Sequence, residues 1–240
     1  HFLGWEFLTK VLELDTDKLY VTIYPDDKEA YDYWHNMIGW LMNGFKFDDN
    51  FWEIGEGPCG PDSEIFYDLG PERGCGKPTC TVGCDCDRYL EIWNLVFTQY
   101  NRTKDGKYEP LAKKNIDTGC GLERLASVIQ QKESNFETDL IFPIIEKVIA
   151  ISGGDYSDPR QKMAMKVIAD HIRAITFMIS DGILPPNEGR GYVPAPYPAP
   201  VLSASAVSWV FRTSSWQASS IRSWTSSADE YPETREHRSL

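Results

Sequence analysis

Prolines alternate at 194, 196, 198 and 200 in the run Pro-Ala-Pro-Tyr-Pro-Ala-Pro, and this run limits what the chain can fold into more than any other feature. Each proline removes a backbone N–H donor and clashes with the preceding turn at ~3 kcal/mol or more, so no helix passes through it. From Pro194 to Ser227 there is also no Asp, Glu or Lys, while serines gather with Trp209, Trp216 and Trp224. Pro and Ser alone suit a linker, but three tryptophans among Val, Ile and Phe favour collapse or aggregation instead. A regular fold is therefore expected within residues 1–193. The segment 194–227 reads as aberrant, and ordinary charged composition resumes over 228–240.

The chain has 240 residues, 42% of them hydrophobic, which is ample material for a core. No apolar run approaches the ~18 residues of a membrane span, and no basic-then-apolar leader precedes the first helix, so a cytoplasmic protein with no membrane partner is expected. The sequence opens on His1 rather than Met and reads as an internal piece of a longer chain. The net charge of −12 argues by itself against nucleic-acid binding, which Lys and Arg carry. Six cysteines are too sparse and too clustered for a secreted disulfide framework, so a reducing compartment is expected.

Periodicity gives an α+β part followed by an all-α part, with the boundary near residue 132. Gly4 to Leu14 has helical spacing, Leu19 to Tyr24 alternates as a strand, and Asp27 to Leu41 again reads as helix. Asp49 to Tyr67 is broken by Gly and Pro and reads as strands joined by a rigid, pocket-lining loop around Cys59. Tyr89 to Tyr100 is apolar and aromatic enough for a buried strand. Gly121 to Gln131, Asp139 to Ile151 and Gln161 to Ser180 read as helices, and His171 reads as a packing residue of the last.

Three segments carry chemistry. In Asn115-Ile116-Asp117-Thr118-Gly119-Cys120-Gly121-Leu122-Glu123-Arg124, a strand end delivers an acid, two glycines let backbone approach a ligand, and a helix opens with an Arg in its first turn. Such a turn offers backbone N–H groups and a fixed guanidinium fork to a polyphosphate. The bland alternative is a tightly packed strand–turn–helix with Glu123 and Arg124 solvated. Second, Asp49 to Ile65 places Trp52 and several acids around Gly-Pro turns. Third, in Glu91-Ile92-Trp93-Asn94-Leu95-Val96, strand alternation puts Glu91 and Trp93 on one face and Ile92 and Asn94 on the other, so a polar group on each face needs a partner or a ligand.

Together these segments resemble the alanyl-tRNA synthetase family of class II aminoacyl-tRNA synthetases, over about Trp5 to Val193. The resemblance implies the C-terminal part of an antiparallel-sheet catalytic domain over 1–131, and the start of a helical tRNA-recognition domain over 132–193. It implies an alanine–tRNA ligase that activates alanine with ATP and Mg2+ to alanyl-adenylate and passes it to tRNA(Ala). Within it, Arg124 matches the Arg that contacts ATP phosphate, and Asp117 the acid that holds the substrate ammonium. Trp52, Asn94 and Val96 lie at the alanine pocket, Glu91 is a carboxylate on the Mg·ATP side, and the adenylate lies along Gly119 and Gly121. Asn187 and Arg190, in Pro186-Asn187-Glu188-Gly189-Arg190-Gly191, match tRNA-contacting positions.

Departures from the family pattern are as informative. Cys120 stands where a Met is usual, and Asp62 where a second Cys is usual. The family's motif 1, and the motif 2 Arg that grips the α-phosphate, precede Trp5 in that pattern, so no turnover is expected of this chain alone. After Gly191-Tyr192-Val193 the family has an Arg-rich helix. Suitable codons for Pro194 to Pro200, read one base later, encode Leu-Arg-Arg-Ile-Leu-Arg, so 194–227 is read as translated out of frame. A lost arginine helix removes the objection that the acidic balance raised.

Cys75, Cys80, Cys84 and Cys86 supply four thiols within a Gly-rich loop, enough for tetrahedral zinc, although the spacing is not the usual pair of C-x2-C units. Reduced loop cysteines are the alternative. Two other classes of function stay open: a non-catalytic synthetase-like binding protein for nucleotide or RNA, and a zinc-stabilised binding module.

Overall fold

The alternation of Leu19, Val21 and Ile23 becomes β1 (Leu19–Ile23) in the computed structural model, which describes residues 1–38, 44–46 and 49–181. Strands β2 (Gly44–Lys46), β3 (Phe51–Trp52), β4 (Gly57–Asp68), β5 (Tyr89–Arg102) and β6 (Tyr108–Cys120) complete a sheet of order β2-β1-β4-β5-β6, with β3 paired to the start of β4. Every pairing is antiparallel except β1 with β2. This is the expected α+β sheet, with one parallel edge that no sequence pattern announced.

One face of the sheet is the core. Val21 and Ile23 on β1, Ile65 on β4 and Leu95 on β5 pack there with Leu8, Ala30, Trp34, Leu125 and Val128. The covering helices are α1 (Phe2–Glu6), continued by a π-helical turn to Val11, α2 (Lys28–Ile38) and α3 (Leu122–Ile129). Helical spacing explains their buried faces: Ala30 and Trp34 are four residues apart, Leu125 and Val128 three. Asp27 caps α2 by accepting from the Ala30 N–H at 2.9 Å. Trp34, fully buried, donates its indole N–H to Ser63 Oγ at 3.2 Å, so its polar atom is satisfied.

The segment Gly57-Pro58-Cys59-Gly60-Pro61 is not the expected loop but the first half of β4. It escapes the ordinary penalty on strand proline because the ladder is irregular there, with a register shift between Cys59 and Asp62. Gly60 is required in this irregularity, since a Cβ would collide with the Phe97 carbonyl oxygen. Cys59 is fully buried, and burial pushes its thiol up, as suits a packing residue.

The chain divides into two compact units, His1–Asn135 and Phe136–Leu240. In the second, α4 (Phe142–Ser152) and α5 (Pro159–Ser180) pack through Ile144, Ile145 and Val148 against Met165, Ile168 and Ala169. Gly153 ends α4 in the left-handed region at φ 67°, and Asp158 caps α5 by accepting from the N–H groups of Arg160 and Gln161. His171 Nδ1 lies 2.7 Å from the Val167 carbonyl oxygen one turn back on its own helix. The expectations for 194–227 and 228–240, and for Asn187 and Arg190, fall outside the described residues. No described helix is long and apolar enough to cross a membrane.

Candidate active site

The other face of the sheet gathers the polar residues, and a β-bulge decides which. Between β4 and β5 the partners run Glu64 with Asn94 and Ile65 with Trp93, then Phe66 with Glu91, leaving Ile92 as an extra residue. The bulge reverses the alternation that the sequence implied. Trp93 and Ile92 both pack with the core, while Glu91 joins Asn94 on the polar face. The sequence reading that opposed Glu91 to Asn94 is therefore corrected. One inserted residue shifts a period-2 pattern by one step.

Opposite residues of neighbouring strands share a face, so Val96 brings Asp117 and Asn94 brings Gly119 to this polar side. Trp52 lies opposite Gly60, two residues along β4 from Asp62. The face thus unites Glu91, Asn94 and Val96 of β5 with Asp117 and Gly119 of β6, while Trp52 pairs with β4. Asp117 is exposed and Val96 buried. A Cβ at Gly119 would meet nothing within 4 Å, so open space in front of the sheet, not crowding by the chain, accompanies this glycine. Cys120 pairs with Trp93 and belongs to the core side, which explains how a thiol stands there without touching the polar face.

Arg124, in the first turn of α3, reaches back over the bulge. Its Nη1 donates to the Glu91 backbone oxygen at 3.0 Å and to Glu91 Oε2 at 2.9 Å. The two glycines differ from expectation in one respect. The Gly121 N–H is taken by the Ile92 carbonyl at 3.1 Å and is not available to an anion.

Sequence reasoning gave no role to a set of polar residues on the β1 and β4 side of this face: Thr22, Asn50, Asp62 and Glu64. Asn50 Nδ2 donates to Thr22 Oγ1 at 2.9 Å and to Asp62 Oδ1 at 2.8 Å, and its backbone oxygen accepts from Asp62 N. Asn94 Nδ2 donates to Glu64 Oε1 at 3.2 Å, and Thr22 Oγ1 lies 3.5 Å from Glu64 Oε2. Asn50 and Asp62 are almost wholly buried. Burial, with a smaller contribution from Glu91, raises the Asp62 carboxyl to about 6 against the pull of Asn50. Burial, then the charges of Asp62 and Glu91, raises Glu64 to about 7. The available signal was the acid pair at i and i+2, Asp62 and Glu64, directly before the apolar Ile65-Phe66.

Glu91 offers a hard carboxylate oxygen on a partly exposed side chain, which fits Mg2+. The four-cysteine loop joins β4 to β5. The Sγ atoms of Cys75, Cys80, Cys84 and Cys86 all lie within 4.8 Å of one another, with Cys80–Cys86 and Cys75–Cys84 at 3.6 Å. Four thiolates at about 2.3 Å from one zinc ion lie about 3.8 Å apart, so the donor set fits that metal. The Arg88 backbone N–H holds the Cys86 thiol down to about 7. Arg88 also closes the foot of the loop on Asp68, through Nε–Oδ1 at 2.8 Å and Nη2–Oδ2 at 2.6 Å. Arg73 within the loop donates to the Lys132 and Glu133 carbonyl oxygens beyond α3.

The family of tRNA synthetases class II (A) matches residues 2–194. An alanine–tRNA ligase of Carboxydothermus hydrogenoformans is 58% identical over 194 residues, and one of Desulfitobacterium hafniense is 58% identical over 193. A third, from Natranaerobius thermophilus, is 54% identical over 196 residues. Each alignment covers 79–80% of this chain but only 22% of the relative, so the chain spans about a fifth of the length of the curated relatives it matches.

Proposed function

We propose, from the premise that the chain belongs to the class II (A) tRNA synthetase family, that it carries the amino-acid side of an alanine-activating active site. The observation that carries this reading is the bulge at Ile92, which brings Glu91, bonded to Arg124, to the face that Asn94, Val96, Asp117 and Gly119 share. In the proposed reaction the alanine carboxylate attacks the α-phosphorus of ATP, forming the acyl-phosphate bond of alanyl-adenylate and releasing pyrophosphate. The alanyl group then passes to the terminal ribose of tRNA(Ala), and AMP leaves.

Asp117 holds the substrate ammonium, and Trp52, Asn94 and Val96 bound the pocket for a methyl side chain. The adenylate lies along Gly119 and Gly121, where the first has open space before it. Arg124 turns to the polyphosphate. Only its Nη1 is engaged among the described residues, so its other guanidinium nitrogens are available to phosphate oxygens. Glu91 would hold Mg2+, which neutralises polyphosphate charge when bound. Such chemistry depends on positioning and electrostatic stabilisation more than on proton transfer. Asn187 and Arg190 contact the tRNA acceptor stem. Cys75, Cys80, Cys84 and Cys86 bind zinc as a structural clip for the β4–β5 connection, an inference supported by their mutual Sγ distances.

The test is a chimera in which this sequence replaces the matching segment of the Carboxydothermus relative, assayed by alanine-dependent ATP–pyrophosphate exchange. Asp117→Ala should raise the KM for alanine at least 100-fold with a small effect on ATP, because an ammonium that loses its carboxylate partner costs about 3–5 kcal/mol. Arg124→Ala should chiefly raise the KM for ATP. Equal effects of each change on both substrates would overturn the assigned roles.

A further inference from the structure

One buried atom on the polar face has no partner among the described residues. Asn94 Oδ1 is buried and accepts no hydrogen bond from the described residues, although its sister Nδ2 donates to Glu64 Oε1 at 3.2 Å. A buried acceptor left unsatisfied is costly and marks a place where a donor belongs. Asn94 sits opposite Gly119, whose missing side chain leaves space before the sheet, and diagonally from Asp117. Two acceptors, one of them a carboxylate, that border one open space suit a cation with several N–H donors.

We infer that Glu64 is a positioning residue for the amino-acid substrate: it holds the Asn94 amide so that Oδ1, not the NH2 group, faces the substrate ammonium. The inference rests on the proposed alanine-binding role of this face. An ionised carboxylate only accepts, so its contact with Asn94 fixes which end of the amide turns outward. Glu64 is in turn placed by Thr22, and Thr22 by Asn50, which also binds Asp62. The polar chain beside Asn94 on the same face of the sheet therefore orients a single oxygen.

The arrangement responds to pH. The groups facing Glu64 are Thr22 from β1, Asp62 from its own strand, Asn50 from the segment before β3, and Asn94 and Glu91 from β5, with no Lys or Arg paired to it among the described residues. Protonated Glu64 gains an O–H donor and no longer enforces acceptance alone, so the Asn94 amide is free to turn its NH2 group toward the substrate, donor against donor. Ionised Glu64 is the competent form, so ammonium binding weakens as pH falls through about 7.

The experiment uses the 240-residue chain labelled with 15N-Asn, read by the Asn94 side-chain NH2 resonances and by titration with L-alanine and with propionate, which lacks the ammonium. In the unaltered chain the Asn94 NH2 resonances should titrate near pH 7, and alanine affinity should fall about tenfold from pH 8 to pH 6 while propionate shows no such change. Glu64→Gln, which keeps size and fold, should abolish that titration and weaken alanine binding about tenfold at pH 8, with a flat pH profile. Asp62→Asn should move the midpoint downward and preserve the coupling. The inference is overturned if the Asn94 resonances ignore Glu64→Gln, or if that variant keeps the original alanine preference and pH profile. An Asn94 titration that behaves as expected in a chain with no alanine affinity would uphold Glu64's hold on Asn94 and break the functional reading instead.

Discussion

Each unit of the chain encloses acidic side chains, and the two are treated in opposite ways. In the helical unit, Glu137 accepts from the Tyr156 hydroxyl at 2.8 Å and lies 3.0 Å from Lys166 Nζ and 3.4 Å from Lys162 Nζ. The same lysines rest over aromatic rings, Lys166 on Phe136 and Lys162 on Tyr156. In the sheet unit, Asp62 and Glu64 are placed by amides and a hydroxyl, and no Lys or Arg pairs with either among the described residues. Glu137 is a closed structural cluster. The sheet pair is raised chiefly by burial, and beside it Asn94 Oδ1 has no partner among the described residues.

The largest effect that separates the two clusters should come from Glu137→Ala. It strands two half-buried ammonium groups, so the helical unit should lose about 3 kcal/mol, read as a fall in the melting temperature of its helical circular dichroism. A loss under about 1 kcal/mol would make Glu137 an ordinary surface acid. Next comes Asp68→Asn at the foot of the cysteine loop, which breaks a bidentate, mostly buried pair with Arg88 and should cost about 2 kcal/mol. Zinc loading should partly offset that loss if the metal clips the same loop. Elemental analysis should then find about one zinc per chain, lost in Cys84→Ser.

Smaller, and opposite in sign, is the effect expected of Glu64→Gln at pH 8. Removing one of two repelling buried carboxylates should stabilise the sheet unit by on the order of 1 kcal/mol. The pH dependence follows the same logic. Folded-state values of about 6 for Asp62 and about 7 for Glu64 lie above the ordinary carboxylate range, so the folded state holds more protons than the unfolded one. Their stabilising contribution is complete below about pH 4 and is lost as pH rises through 7. Asp68, held low chiefly by its hydrogen bond to Arg88, acts in the contrary sense at lower pH. The melting temperature of the sheet unit should therefore fall between pH 5.5 and 8, and the fall should shrink in Glu64→Gln. An unchanged slope in that variant would remove the contrast with Glu137.

Much of this molecule was legible in the residues themselves. The period-2 spacing of Leu19 to Tyr24 and the apolar length of Tyr89 to Tyr100 are strand signals of side-chain burial, and strands formed over Leu19–Ile23 and Tyr89–Arg102. The helical spacings around Trp34, Leu125 and Ile145 likewise predict which faces are buried, because the 3.6-residue period is a property of the backbone alone. Asp117, Gly119 and Arg124 stand out in the residues because an acid, a glycine and an Arg gather around one strand-to-helix turn, and the structure does form that turn.

What the sequence did not determine depends on partners distant in the chain. Whether Glu91 shares a face with Asn94 hangs on one bulge, set by how β4 registers against β5, and no local pattern encodes a register between strands more than twenty residues apart. Gly57 to Pro61 joined a strand because its ladder is irregular at that point and the Phe97 carbonyl oxygen closes on Gly60. Thr22, Asn50, Asp62 and Glu64 come from three separate segments, and only the tertiary structure makes them one chain of hydrogen bonds. Local periodicity fixes which side chains can be buried. The long-range pairing of strands decides which polar groups are buried together, and that burial, more than their mutual charge, raises the Asp62 and Glu64 carboxyls.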